Sequence, residues 1–416
     1  MLIEFTIGNF KSFRDKTTFS MIAANLKSDD IVLDEDNVVP VKKDLRLLKS
    51  VAVYGANASG KSNLGLALRF MRDFVLDSAR EASTPAGFGL EPFLLNWETP
   101  EQPSFFEMVF LLDGVQFRYG FESDESHVIS EWLFHVPKTK EVSLFVREGQ
   151  EISVRTGFKE GKGLEARTRP EALFLSVLAL FNGAVSNQIQ DWFDSLAVTT
   201  GLQDDDFRTN TLEQLNDPEL RRQIVGLIQD LDFGIDDLLV HKEQIYTSYY
   251  LRRPPADPKD AVTMGLDTHA SQGTRKMVAM AGPLRAVLAN GQTMFVDELD
   301  ARLHPLMTRR IIELFHSSLT NPKGAQLIFA THDTNLLDKS LFRRDQIWFA
   351  EKDQQGATHL ASLAEYRGVR NDAAYEQRYL EGRYGAIPFL GDLTRLPWAQ
   401  GGEALEEEAE QEPARA

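Results

Sequence analysis

The spacing of hydrophobic residues changes several times along this chain, and the changes predict a mixed α/β fold. From Ser104 to about Gly157, apolar residues recur at every second position, which is typical of strands with one buried face. After residue 61 and after residue 271 they recur at helical spacing. Short apolar runs predict buried strands at 50–54, 293–296, 326–330 and 346–350.

The segments between these patterns complete the predicted order of elements. Residues 1–25 predict two strands, and the polar residues 26–49 predict an irregular connection. Residues 170–232 predict helices, and residues 244–252 predict a further strand. Residue pairs that favour hairpin turns within the alternating region are Asp113-Gly114 and Asp124-Glu125.

A proline interrupts the helix that is predicted to begin near Ser271 and to end at Gly291. Because proline has no N–H to donate, we expect Pro283 to break or kink this helix. The patterns divide the chain into four parts: a first lobe at 1–165, a mainly helical insertion at 166–260, a second lobe at 261–351 and a C-terminal extension at 352–416.

Composition excludes several classes of site. The chain of 416 residues has no cysteine, which rules out disulfides, thiolate zinc sites and a cysteine nucleophile. No apolar run is long enough for a membrane span, and we expect no signal peptide and a cytoplasmic location. The net charge of −17 gives no support for strong nucleic-acid binding. Part of this negative charge comes from six glutamates in the acidic tail at 401–416.

The most informative motif is Gly55 to Ser62, which fits the phosphate-loop pattern G-x-x-x-x-G-K-[ST]. It follows a predicted strand and opens a predicted helix, as a triphosphate cradle requires. We expect Lys61 to reach the outer phosphates of ATP and the Ser62 hydroxyl to ligate Mg²⁺. The other predicted nucleotide-binding residues of this stretch are Gly55, Asn57, Gly60 and Asn63.

Two later strand ends supply acids and a histidine. Asp297 and Glu298 follow the apolar run 293–296, and His332 follows the run 326–330. We predict that Asp297 orders Mg²⁺ through Ser62 and water. Glu298 is predicted to polarise the attacking water, and His332 to hydrogen-bond the γ-phosphate oxygens.

The order of these motifs resembles the head of ABC-type ATPases, and most closely that of the SMC, RecF and OLD branch. The likeness rests on the phosphate loop, Ser271-Gln272-Gly273-Thr274, the acids at 297–298, the stretch Leu299–Pro305 and His332. The opening Ile7–Phe13 supports that branch, and Tyr379–Pro388 is similar to RloA-like bacterial ATPases. The expected fold is therefore an ABC-type head with an antiparallel β subdomain, a helical insertion and a C-terminal extension.

The resemblance implies a homodimer, or a higher homo-oligomer, that closes around ATP. Ser271 and Gly273 would contact the γ-phosphate bound to the other subunit, and Asp300 would lie at the dimer seam. The sequence here is Ser-Gln-Gly-Thr, whereas many ABC heads have Leu-Ser-Gly-Gly-Gln. Relatives often act beside a separate effector, such as a nuclease or toxin, in anti-phage defence.

The resemblance leaves a second function open, a DNA repair or recombination ATPase like RecF. The acidic balance of the chain argues against that function, although a local basic groove would permit it. A nuclease like OLD is disfavoured because the chain after Ala350 is too short for an additional metal-dependent domain.

Overall fold

The computed structural model describes residues 1–26, 31–81, 84–199, 205–231, 233–250, 261–369 and 374–388. Its strands are β1 (Leu2–Gly8), β2 (Thr17–Ser20), β3 (Val38–Lys42), β4 (Leu45–Leu48), β5 (Ser50–Tyr54), β6 (Ser104–Leu112), β7 (Val115–Ser123), β8 (Val128–Val136), β9 (Val142–Glu148), β10 (Glu151–Val154), β11 (Ala197–Thr199), β12 (Asp237–His241), β13 (Gln244–Tyr250), β14 (Ala261–Gly265), β15 (Thr293–Val296), β16 (Gln326–Ala330), β17 (Ile347–Lys352) and β18 (Thr358–Ser362).

The α-helices are α1 (Ile31–Asp36), α2 (Lys61–Asp77), α3 (Phe174–Leu180), α4 (Ala184–Asp194), α5 (Asp205–Leu215), α6 (Pro218–Asp230), α7 (Leu266–His269), α8 (Gln272–Asn290), α9 (Pro305–His316) and α10 (Tyr375–Leu380). Within the described residues, none of the helices is long and apolar enough to span a membrane. The acidic tail at 401–416 lies outside the described residues.

A six-stranded sheet in the order β11-β15-β16-β5-β17-β18 carries the phosphate-loop strand β5 near its middle. The first five strands run parallel, and β18 pairs antiparallel with β17 at one edge. The short apolar runs of the sequence are confirmed as its buried strands β5, β15, β16 and β17. All four predicted parts of the chain contribute strands to this sheet, while the boundaries between those parts stay predictions.

The alternating region folds as predicted into an antiparallel sheet, in the order β10-β9-β8-β7-β6-β1-β2. Asp113 and Gly114 both adopt positive φ in the tight turn between β6 and β7, as a two-residue hairpin turn requires. The second predicted turn joins β7 to β8. The α/β class with an antiparallel subdomain, a helical segment and a C-terminal extension is confirmed.

Helix α2 packs between the two large sheets. Its Phe70 and Phe74 stack on each other and contact Phe121 of the antiparallel sheet. Val51 and Val53 of β5 belong to the same apolar cluster. The alternate residues of β5 join a second cluster on the opposite face of the parallel sheet, together with α8, α9 and α10. The helix after the phosphate loop is thus anchored on both sides.

Two predictions of local structure were wrong. Residues 26–49 are not wholly irregular, because α1 and the hairpin β3–β4 form within them. The charged residues of this hairpin are exposed or partly exposed, while Val38 and Leu48 are buried. The alternation typical of a strand is therefore present, but the many polar residues of the segment favoured an irregular connection. The predicted helical region also contains β11, whose three residues are too few to show a period.

Of the predicted break or kink at Pro283, the break does not occur, because α8 continues through it to Asn290, and the kink stays a prediction. Pro283 cannot donate to the carbonyl of Ala279 one turn earlier. The Thr211 hydroxyl on α5 donates to that carbonyl at 2.7 Å and accepts the N–H of Gly282 at 3.0 Å. A Cβ on Gly282 would lie 2.6 Å from the Cα of Thr211, so glycine permits this approach. Thr211 of α5 therefore supplies the hydrogen bond to the Ala279 carbonyl that Pro283 cannot donate.

A buried histidine, His316, contacts the start of β5, at the end of this strand that is opposite the phosphate loop. The His316 ring is 2.7 Å from the Ser50 hydroxyl at the start of β5, and its carbonyl accepts a hydrogen bond from Lys49. Burial, with a smaller contribution from the Lys49 charge, lowers the pKa of His316 to about 3. His316 is therefore neutral in the folded protein across the physiological range.

We expect this histidine to make the protein sensitive to acid. In the unfolded chain the imidazole binds a proton near its ordinary pKa, and in the folded chain it binds one only at a much lower pH. The contribution of His316 to the free energy of unfolding is therefore fully present above pH 6.5 and is lost as the pH falls toward 3. The free energy of unfolding should fall by about 2 kcal/mol between pH 7 and pH 5 from this group alone. Urea unfolding at both pH values measures it, and His316→Gln should reduce the difference between them. An unchanged difference in that variant would contradict the assignment.

Candidate nucleotide-binding site

The phosphate loop connects β5 to α2 and depends on two glycines. Gly60 adopts φ +106° immediately before α2, and a Cβ there would lie 2.1 Å from the Thr358 hydroxyl. A Cβ on Gly55 would lie 2.4 Å from the carbonyl oxygen of Ala350. Both positions exclude a side chain, one by conformation and both by crowding. Asn57 and Ser62 face solvent on the open side of the loop.

A polar cluster supports the loop from behind. The Ser12 hydroxyl accepts hydrogen bonds from Asn63 at 2.6 Å and from Thr358 at 2.8 Å. The Thr358 hydroxyl is also 2.8 Å from the carbonyl of Ser59 within the loop. Asn63 therefore points toward the N-terminal motif, and its amide acts on the loop through Ser12. Neither Ser12 nor Thr358 was among the residues predicted for the site.

Lys61 lies inside the loop and is only 5% exposed. Its ammonium group donates to the carbonyl oxygens of Gly55 at 2.8 Å and Ala56 at 3.0 Å. Burial lowers the pKa of Lys61, and the nearby carboxylates of Asp297, Glu298 and Asp300 oppose that shift. The structure thus brings the predicted lysine and all three predicted acids into one electrostatic environment.

The order of strands explains why these groups meet. β16 lies between β5 and β15, and all three run parallel, so their carboxyl ends share one edge of the sheet. His332 follows β16 and therefore lies between the phosphate loop and the acids. Burial lowers the pKa of His332, with Lys61 acting in the same direction and the three carboxylates opposing. The ring is consequently neutral at pH 7 and keeps one N–H donor.

Two acids near this edge of the sheet have a buried carboxylate oxygen without a hydrogen-bond donor. Asp297 is 4% exposed, and neither its Oδ1 atom nor that of Asp300 has a hydrogen-bond partner among the described residues. Buried carboxylate oxygens without donors are suitable ligands for a divalent cation. In the described residues, no three acidic or histidine side chains converge on one metal position. A Mg²⁺ ion here would therefore share the ligands Ser62 and Asp297 with phosphate oxygens and water.

Ser271 and Gly273 lie at the start of α8. The Ser271 hydroxyl accepts the N–H of Thr274 at 3.1 Å, so the predicted helix cap is confirmed. A Cβ on Gly273 would lie 2.4 Å from the carbonyl oxygen of Arg302. In the described part of the chain, no hydrogen bond joins either residue to the phosphate loop of its own subunit. Gly273 instead lies against the loop after the acids, and Ser271 caps α8.

The C-terminal extension contacts the residues that follow His332. The Thr334 hydroxyl donates to the carboxylate of Glu376 on α10 at 2.8 Å. The Tyr54 hydroxyl is 3.3 Å from the carbonyl of Asp333, and the ring of Tyr379 packs edge-on against Tyr54. The residues after His332 are therefore held between the phosphate-loop strand and α10.

Comparison with known proteins places the chain in a family. Two solved structures match most of its length: an SMC head domain from Thermotoga maritima and an SMC head bound to the C-winged helix domain of ScpA. The first is 16% identical, with 87% of this chain and 98% of that chain covered and a TM-score of 0.39. The second is 14% identical, with 87% and 97% covered and a TM-score of 0.45.

Among curated proteins, no sequence matches the chain. One family pattern matches residues 50–338, which is more than half of the chain and includes the phosphate loop, the acids and His332. The chain therefore belongs to the family described as "AAA domain, putative AbiEii toxin, Type IV TA system".

Proposed function

We propose that this protein is a Mg²⁺-dependent ATPase that dimerises around ATP and controls a separate effector in a bacterial anti-phage system, as RloA-like ATPases do. The observation that carries the ATPase is the meeting of Lys61, His332 and three carboxylates at one edge of the parallel sheet. Fixed charges and a neutral imidazole beside a phosphate loop are the groups that hydrolysis of a triphosphate requires.

Each group has a distinct role in this proposal. Glu298 accepts hydrogen bonds from the attacking water and polarises it. His332, neutral because of its lowered pKa, donates a hydrogen bond to the γ-phosphate oxygens as charge develops there. Lys61 leaves the carbonyls of its own loop for the outer phosphates. Ser62 and Asp297 hold Mg²⁺, which offsets the charge of the phosphates.

Dimerisation completes the site. Gly273 lies against the loop that follows the acids, Ser271 caps α8, and Ser271 and Gln272 at the start of this helix remain exposed. A second subunit would present these residues and the N–H groups of its α8 to the γ-phosphate. Asp300 would then lie near the seam between the subunits. The separate effector is proposed from the resemblance to RloA-like ATPases.

Glu298→Gln should trap the ATP-bound dimer. The amide keeps the shape of the carboxylate but cannot accept a proton, so hydrolysis should fall by at least about 100-fold while ATP binding persists. Sedimentation velocity with ATP and Mg²⁺ should show a dimer for this variant and no ATP-dependent change for Lys61→Ala. Identical sedimentation of Glu298→Gln with and without ATP would exclude the proposed clamp.

The DNA-repair alternative predicts a different result. With a net charge of −17, we expect no ATP-dependent binding to duplex DNA, even at about 50 mM salt where phosphate contacts are strongest. Fluorescence anisotropy of a labelled duplex, with and without ATP, measures this. Binding that requires ATP and weakens steeply with salt would favour a RecF-like function.

The effector is tested by purification from the native operon. We expect the product of a neighbouring gene to copurify with Glu298→Gln and to do so less with Lys61→Ala, because only the first variant accumulates the ATP-bound form. Mass spectrometry identifies the partner. If both variants purify alone, control of a stably bound effector is wrong, whereas the ATPase proposal is judged by hydrolysis.

A further inference from the structure

A buried lysine near the start of α8 contacts the loop that carries Glu298. Lys276 is 6% exposed, and its ammonium group donates to three backbone carbonyls. The distances are 2.6 Å to Glu298, 3.2 Å to Leu299 and 3.0 Å to Ala301. An ammonium group has three donors, and each of them has a carbonyl acceptor here.

The loop that Lys276 holds has an unfavourable backbone conformation. Glu298 adopts φ +50° and Arg302 adopts φ +67°, in the left-handed region that residues with a Cβ rarely occupy. Such conformations persist only where neighbouring contacts enforce them. Lys276 supplies those contacts at 298–301, and the close approach of Gly273 to the Arg302 carbonyl supplies another. Residues at the start of α8 thus contact most of the loop from Glu298 to Arg302.

We propose that Lys276 is a positioning residue that joins Glu298 to the start of α8 in the same subunit and thereby couples the two nucleotide sites of the dimer. The inference rests on the function proposed above. In that dimer, Glu298 acts on the nucleotide in its own phosphate loop, whereas Ser271 and Gly273 act on the nucleotide of the partner. A displacement of α8 on meeting the partner's γ-phosphate is transmitted through Lys276 to Glu298.

The chemistry of the contact suits this role. Carbonyl oxygens that accept from an ammonium group are drawn toward one point, so the backbone of the loop moves with the lysine rather than sliding past it. An aliphatic side chain of similar length would fill the space but leave the three carbonyls without that donor. Glu298 would then keep its chemical identity and lose its fixed position.

Lys276→Met is the main test, and Lys49→Met is its matched control. Lys49 is also a buried lysine, 5% exposed, whose ammonium group donates to a backbone carbonyl, that of His316 at 2.8 Å. It lies at the opposite end of β5 from the phosphate loop. Both variants should lower the melting temperature, and only Lys276→Met should change catalysis. If Lys276→Met fails to fold, Lys276→Gln, which keeps two N–H donors, replaces it.

The measurements are the ATPase rate across ATP concentrations and the affinity for a fluorescent ATP analogue. For Lys276→Met, kcat should fall by about 10- to 100-fold, since a displacement near 1 Å has effects of that size. The affinity for the analogue should stay within about threefold of wild type, because the phosphate loop is intact. The Hill coefficient should fall from above 1 in the wild type to 1 in the variant.

The outcomes separate this inference from the proposed function. Wild-type protein without ATPase activity would contradict the proposed function itself. An active wild type whose kcat and Hill coefficient survive Lys276→Met would overturn the role of Lys276. A wild-type Hill coefficient of 1 would overturn the coupling. Equal losses of kcat in Lys276→Met and Lys49→Met would show a general effect of removing a buried lysine.

Discussion

The parallel pairing of β5 with β16, and of β16 with β15, is the constraint on which the site depends. In this register Ala330 pairs with Val53 and Val296 pairs with Phe329, so the three strands end nearly level. Whatever follows each strand must therefore gather at one edge. A phosphate loop, a histidine and two acids follow them. No individual side chain creates the site; the alignment of the strand ends does.

Charge then determines what this edge can bind. Lys61 faces Asp297, Glu298 and Asp300, so the carboxylates outnumber the ammonium group. In the proposed function a triphosphate would add further negative charge, and a divalent cation held by phosphate and Asp297 would offset it. The same balance keeps His332 neutral, because burial and Lys61 together outweigh the acids. In the proposed function, this edge of the sheet would thus hold the neutral imidazole of His332 as a hydrogen-bond donor beside an anionic substrate.

The sequence predicted the charged groups that meet at this edge of the sheet better than the groups that hold them in place. Lys61, Glu298 and His332 occur in motifs whose spacing reports their position. Thr358 reaches the site from a distant segment, whereas Ser12 and Lys276 lie within or beside motifs whose pattern does not show which groups they contact. Asn63 and the segment Ile7–Phe13 belong to sequence motifs, yet the hydrogen bond between Asn63 and Ser12 depends on tertiary structure. For α8, the proline signal was correct locally and was overridden by Thr211 on another helix.

The topology of the parallel sheet also constrains how the protein is made. β5 is complete early in synthesis, but both strands that flank it, β16 and β17, lie in the last third of the chain. Until about residue 330 leaves the ribosome, the phosphate-loop strand has two unpaired edges, and one edge stays unpaired until about residue 350. Contacts between such distant segments form slowly, and the folding intermediates that precede them are prone to aggregate. A nascent chain truncated before β17 would carry a complete phosphate-loop motif without the sheet that shapes it, so the ability to bind nucleotide would emerge only after β17 has been made.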